Sequence, residues 1–304
     1  MPTLKEIKVR IGSVQSTLKI TSVMKMVASA KFHRAQSATR AHILYCQRLT
    51  EILNEVLVKA HSDDALQKPQ SRVQERMGSS VQEFKGSRNS LTTPGRSESN
   101  AVVVAFASNN SLCGRFNANA IKEMQQAVER LREEGYSQVS VIPVGEKMRQ
   151  AVNKSGLEIF PHEGELAASL IKAYNQGEID RVELVYNHFR SMGHQEPVCE
   201  TFLPSSPFQG GTGGGFEERD ESLYIFEPEP NEILRMLLPT VLEARLHTVR
   251  LDSEMAEHAA RTVAMQTATD NAQELLDELS LSYNKQRQQN ITNELADITQ
   301  GQSK

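Results

Sequence analysis

Two stretches of this chain, one at each end, repeat their apolar residues every three or four positions. Near the N-terminus the seam reads Leu4, Ile7, Ile11, Val14 and Leu18, then Ala28, Phe32 and Ala35, then Leu49, Leu53 and Val56. A second seam runs from about Ile233 to Ile298 through Leu242, Leu246, Val249, Ala256, Ala259, Val263, Ala272, Leu276, Leu279 and Tyr283. Such spacing gathers apolar side chains on one side of an α-helix. Thr3 and Glu6 have the spacing of a capping box, which predicts a helix start there. Neither Gly nor Pro falls between Ser13 and Lys68, and about 55 helical residues would reach roughly 80 Å. Thr240 to about Thr299 is equally free of both, far beyond the mean helix of about 11–12 residues. Pro239 just before it marks either a kink or the first turn of the long helix, where proline is tolerated. Lys25, Thr39 and His42 fall on the first seam itself, where polar residues commonly fix register. Two long helices at opposite ends of one chain pair only if the chain doubles back, so the pattern predicts a shaft.

The chain between the seams follows another pattern. AVVVAFAS at 101–108 is a continuous apolar run, as in a strand buried on both faces. Helices are expected at Phe116–Glu134, Glu146–Lys154 and Leu166–Asn175, and further strands at Val139–Val144, Val182–Phe189 and Val198–Leu203. The βαβ order implies a mainly parallel sheet with right-handed crossovers. Residues 61–99 are polar and Ser-rich, a linker or insertion with room for one short helix near Val73–Phe84. Gly-rich residues 204–220 read as a flexible loop, followed by a short strand or arm at Leu223–Phe226. The expected organisation is a helix over 1–60, a linker over 61–99, a Rossmann-like α/β domain over 100–205, a loop and arm over 206–230 and a helix over 231–304. The fold class is thus α/β plus long helices, an antiparallel coiled coil with an inserted Rossmann-like α/β domain.

Composition narrows the function. Apolar residues make up 38% of the chain and Trp is missing, which is thin for a compact globule of this length and suits long helices. Residues 1–48 hold nine Lys and Arg against one Glu, whereas 226–304 hold seven basic against thirteen acidic residues. Opposite charge favours pairing of the two helices, although an exposed pair contributes only about 0.2–1 kcal/mol. A basic helix also suits nucleic acid, but these basic residues are spread around the helix with no aromatic platform beside them. Cys46, Cys113 and Cys199 lie far apart with no CxxC spacing, so neither a disulfide framework nor a zinc site is expected. No run of about 18 apolar residues offers a membrane span, and the start of the chain has no leader-like segment.

The loop SNNSLCGRFN (108–117) follows the first strand and precedes the first helix of the domain, the place where Rossmann folds hold a pyrophosphate. Only Gly114 is present there, and without the other glycines the backbone cannot approach a phosphate closely. Cys113 reads as a small packing residue, with no His nearby in sequence to activate it.

LKEIKVRIGSVQSTLKITSVMKMVASAKFHRAQ (4–36) and AARTVAMQTATDNAQELLDELSLSYNKQRQQNITNELADITQG (259–301) resemble the two ends of the gamma subunit of F-type ATP synthases. Ile291, Thr292, Glu294, Asp297 and Gly301 match a family signature, with Gln302 where Ala is usual. SNNSLCGRFN is similar to the family's loop, with Asn109 and Asn110 in place of the usual acidic and basic residues. The resemblance implies a central rotor stalk whose coiled coil stands in a hexamer of alpha and beta subunits. The α/β domain would sit at its foot against the epsilon subunit and the membrane ring of c subunits. Proton-driven rotation would then cycle the catalytic beta subunits. It implies no catalytic residue, cofactor or metal in this chain. It places Arg287 and Gln288 against a beta-subunit loop and Met24 and Lys25 near the beta-subunit lever segments. It implies a peripheral position on the cytoplasmic face of a bacterial inner membrane, or alternatively the matrix side of the mitochondrial one.

Overall fold

The computed structural model describes residues 3–66, 99–162, 164–204, 227 and 229–301. The possible helix at Val73–Phe84 and almost all of the expected loop and arm at 206–230 lie outside these residues.

Helix α1 spans Leu4–Leu66. Its start is the reciprocal cap expected from the sequence: the Thr3 backbone N–H donates to Glu6 Oε2 at 2.9 Å, and the Glu6 N–H donates to Thr3 Oγ1 at 3.4 Å. The helix runs six residues into the segment expected to be linker. The central domain follows as β1 (Asn100–Phe106), α2 (Phe116–Glu133), β2 (Gln138–Val144), α3 (Glu146–Ser155), α4 (Leu166–Gln176), β3 (Arg181–Ser191) and β4 (His194–Leu203). The last helix, α5, spans Pro230–Gly301. Pro230 takes its first position, so Pro239 lies inside the helix and is not its first turn.

The sheet order is β2-β1-β3-β4. β1 pairs parallel with both β2 and β3, while β4 pairs antiparallel with β3 and forms one edge. The β3–β4 hairpin is longer than the apolar pattern predicts. Ser191 pairs with His194 at its end, in a polar stretch whose strands are held by backbone pairing and carry little of the buried apolar face that marks a strand in sequence. Pro197 is accommodated because β4 is an edge strand.

Alternate residues of β1 feed two cores. Val102, Val104 and Phe106 face Leu170 and Ala173 of α4 together with Leu242, Leu246 and Val249 of α5. Ala101, Val103 and Ala105 face Ala120, Met124 and Leu131 of α2 and Met148 and Val152 of α3. The C-terminal helix is therefore part of the domain core as well as half of the shaft. Gly145 turns β2 into α3 at φ 101°, and a Cβ there would meet the Ala107 carbonyl oxygen at 2.0 Å, so only glycine fits that close approach.

The two long helices are antiparallel. Thr269 Oγ1 donates to Thr21 Oγ1 at 3.0 Å, Phe32 and Ala35 pack on Met255 and Ala259, and Cys46 lies beside Thr248. Of the polar seam residues, His42 crosses to α5, with Nε2 3.1 Å from the Ala244 carbonyl oxygen. Buried Thr39 instead donates to Ala35 O of its own helix at 2.8 Å, so it is satisfied locally and sets no register. Val263 was expected on the α5 seam but is 38% exposed, while Thr262 and Met265 are buried. The seam steps through Ala259, Thr262, Met265, Thr269 and Ala272, and this drift turns Val263 outward.

Candidate functional site

Register decides what the shaft offers to partners. The contacts at Thr21–Thr269 and Cys46–Thr248, continued at one residue per residue, set Leu4 level with about residue 286 of α5. The last fifteen or so residues of α5 therefore outrun α1 and continue as a single helix for roughly 20 Å.

Arg287 and Gln288 stand at the base of that single-helix tip, both exposed. Arg287 has no ion-pair partner among the described residues. The Gln288 carbonyl accepts from Thr292 Oγ1 at 2.9 Å, so the backbone at the pair is ordinary helix and both side chains face outward. Gln288, Ile291 and Leu295 share one face of the tip, which Leu281 continues just before it, and the three apolar members are all exposed. Met24 and Lys25 are half-buried at the flank of the α1 seam, level with about Met265. They lie roughly 30 Å along the shaft from Arg287. The four residues thus form two separate surfaces and no single site.

A feature not singled out from the sequence lies beside Met24, on the side of α1 opposite Lys25. Val9, Ile20, Val23 and Val27 are each more than half exposed. Their spacings of 11, 3 and 4 place them on one side of α1, away from the seam that α5 covers. Apolar residues aligned on an exposed face of a paired helix mark a surface that meets something else. The signal was present in the spacing, but the seam beside it has the same period.

The Ser108–Asn117 loop is folded onto itself and onto the shaft. The Ser108 N–H donates to Asn117 Oδ1 at 3.0 Å, and Asn117 Nδ2 donates to Cys113 Sγ at 3.1 Å. Cys113 and Phe116 are buried against Ala256 and Ala260 of α5, which is the packing role expected for Cys113. Arg261 Nη2 straps the loop by donating to the Asn110 carbonyl at 3.2 Å.

A buried carboxylate links domain and shaft near the end of β3. Asp252 of α5 is 8% exposed and accepts from the Phe189 N–H at 3.3 Å and from His188 Nδ1 at 2.5 Å. Burial raises the Asp252 pKa above the usual carboxylate value, and the hydrogen bond from His188 opposes that rise. Phe189 itself packs on Phe32 of α1, ring centres 5.3 Å apart, and against the buried alanines of α5.

Residues 3–303 match the family model described as ATP synthase. The chain is 42% identical over 323 residues to the ATP synthase gamma chain of Bacteroides thetaiotaomicron, covering 99% of each. It is 36% identical to that of Flavobacterium psychrophilum, covering 99% of this chain and 98% of the relative. Among solved structures, a rotor chain of the Euglena gracilis mitochondrial ATP synthase matches with a TM-score of 0.52 at 18% identity, covering 95% of this chain and 98% of that one. A central stalk/c-ring chain of the Tetrahymena thermophila mitochondrial enzyme matches at 0.50 and 22%, covering 82% and 99%. At these identities the two structures speak for the fold, and the full-length relatives speak for the family. This chain belongs to the ATP synthase gamma-chain family.

Proposed function

We propose that the chain is the central rotor stalk of an F-type ATP synthase and itself catalyses nothing. The carrying observation is a two-helix shaft whose C-terminal helix outruns its partner, in a chain matched end to end by gamma chains. In this reading the paired helices stand in the cavity of a hexamer of alpha and beta subunits. The α/β domain meets the epsilon subunit and the ring of c subunits at the foot. Proton flow turns the ring and the stalk with it, and the stalk presents different faces to the three beta subunits in turn. The bare apolar stripe through Val9, Ile20, Val23 and Val27, with adaptable Met24 among it, suits a surface that meets several partner conformations. Exposed Arg287 suits a breakable latch to a carboxylate, because its guanidinium can bind both oxygens at once.

The stalk lies at the membrane without crossing it, on the cytoplasmic side in a bacterium. No helix among the described residues is long and apolar enough to cross a membrane, and the relatives named above are bacterial.

Two measurements test this reading. Expressed in its host, the chain co-purifies with alpha and beta subunits, and failure to do so removes the stalk assignment. Arg287→Ala should lower ATP hydrolysis by the assembled complex roughly ten- to a hundredfold, since a hydrogen bond to a charged group contributes about 1.5–3 kcal/mol. The stability of the chain should stay within about 0.5 kcal/mol, as at other exposed positions. An unchanged rate in that variant removes the latch while leaving the stalk in place.

A further inference from the structure

At one level of the shaft, α1 and α5 meet through an imidazole from each helix. The His42 and His247 rings are in contact, centres 4.5 Å apart and planes at 63°. His42 is held from two sides. Its Nε2 lies 3.1 Å from the Ala244 carbonyl oxygen, which only accepts, so Nε2 carries the proton and a second proton goes to Nδ1. Its ring also lies 5.7 Å from that of Tyr45 on its own helix. His247 is exposed and meets α1 at the His42 ring.

Protonation decides what this contact does. Two neutral imidazoles pack edge to face as other aromatic rings do. With one ring charged, a cation stands against a neutral π-system, which is still attractive. With both charged, two cations are held 4.5 Å apart, and like charges repel at that distance even through water. Arg250 adds to the positive field at His247, whereas Glu243 and Glu254 offset part of it. We propose that His42 and His247 form an acid-sensitive clasp on the shaft: the helices are joined at this level while at least one ring is neutral, and double protonation drives His247 out of the seam. Charged His42 still donates from Nε2 to Ala244 O, so it keeps its place and the solvent-facing His247 is the ring that moves. His247 stands five residues before Asp252 on α5, so the opening loosens the shaft beside the point where β3 is tied to it. Partial burial and the neighbouring His42 hold the His247 pKa below the usual 6.5. The contact therefore adds stability above that pH, which is lost as the pH falls through the lower folded value.

The test uses the full chain, with the histidine ring signals followed by NMR from about pH 8 to 5, the range in which imidazoles titrate. His247 should titrate at a lower pH in the native chain than in His42→Gln, which keeps a donor for Ala244 O and cannot become charged. Amide hydrogen exchange over residues 243–250, corrected for its intrinsic pH dependence, supplies the second reading. It should rise roughly fivefold on acidification of the native chain, and by visibly less in His247→Gln, which alters an exposed side chain and leaves the fold intact. The same His247 titration in the native chain and in His42→Gln, or an equal rise of exchange in the native chain and in His247→Gln, overturns the clasp. Either failure leaves the stalk reading in place, since both measurements are made on the chain alone.

Discussion

Glu183 is the third residue of β3, with a side chain only 2% exposed, yet it is held by three groups. Arg181 Nη2 donates to Oε1 at 2.7 Å, Arg130 Nη2 to Oε2 at 3.0 Å, and the Cys199 thiol to Oε2 at 3.1 Å. Burial, reinforced by the carboxylate beside it, pushes the Cys199 thiol up to about 12, so Cys199 is a donor in this cluster and no nucleophile. The two arginines keep part of their surface in water, and the carboxylate does not. That asymmetry orders the variants. Arg181→Leu strips a close partner from a charge that cannot reach water, and should cost about 3 kcal/mol. Glu183→Gln removes the buried charge itself and lets both arginines turn to solvent, so about 1–2 kcal/mol is expected. Urea unfolding of the two variants decides, and a larger loss for Glu183→Gln would reverse the account.

At the scale of elements, the long helices were legible because their apolar period and the lack of Gly and Pro point the same way, and Thr3 with Glu6 fixed one start. Strand β1 was legible as an unbroken apolar run, and α3 and α4 each end at a glycine with positive φ, Gly156 and Gly177. The far arm of the β3–β4 hairpin was not, since its polar residues bury no face. Nor was the outrunning tip of α5, which depends on contacts such as Thr21 with Thr269, 248 residues apart. Arg287 and Gln288 are proposed on resemblance alone, and nothing local distinguishes them from other exposed helix residues. Pro239 is the clearest conflict between local rule and structure. Its ring lacks the N–H for the helical ladder and crowds the preceding turn, which costs about 3 kcal/mol in an ordinary helix interior. Packing of Leu242, Leu246 and Val249 into the domain core holds the helix in spite of it. Pro239→Ala should therefore stabilise the chain by about 1–2 kcal/mol, less than the full helix term because proline also restrains the unfolded chain. A drop in the urea midpoint for that variant would mean that the ring contributes packing that outweighs its backbone cost.

The whole molecule turns on a joint where domain and shaft meet. Phe189 wedges between Phe32 of α1 and the alanines of α5, Asp252 ties the end of β3 to the same helix, and Arg261 holds the loop of the domain. A stalk that passes torque between foot and shaft needs such a joint to be stiff, and its buried titratable groups link the stability of the joint to pH. His258 of α5 lies in this region, 9% exposed, and its Nδ1 has no hydrogen-bond partner among the described residues. Burial lowers its pKa below the usual 6.5, with Lys31 and Arg261 adding to the shift and Glu254 and Glu257 opposing it. The unfolded chain thus takes up a proton from about pH 6.5 downward that the folded chain resists, so stability is full above that pH and falls as the pH drops through the folded pKa. Asp252 works the other way at lower pH. Its pKa is raised from 3.8, so the folded state holds that proton more tightly, and acidification through that window restores some stability. The thermal midpoint of the chain should therefore fall between pH 7.5 and 5.5. His258→Gln keeps a polar side chain there and cannot titrate, so its midpoint should fall by visibly less over the same range. Parallel curves for the two proteins would show that His258 is protonated as easily in the fold as outside it, and that the joint owes its pH dependence to other groups.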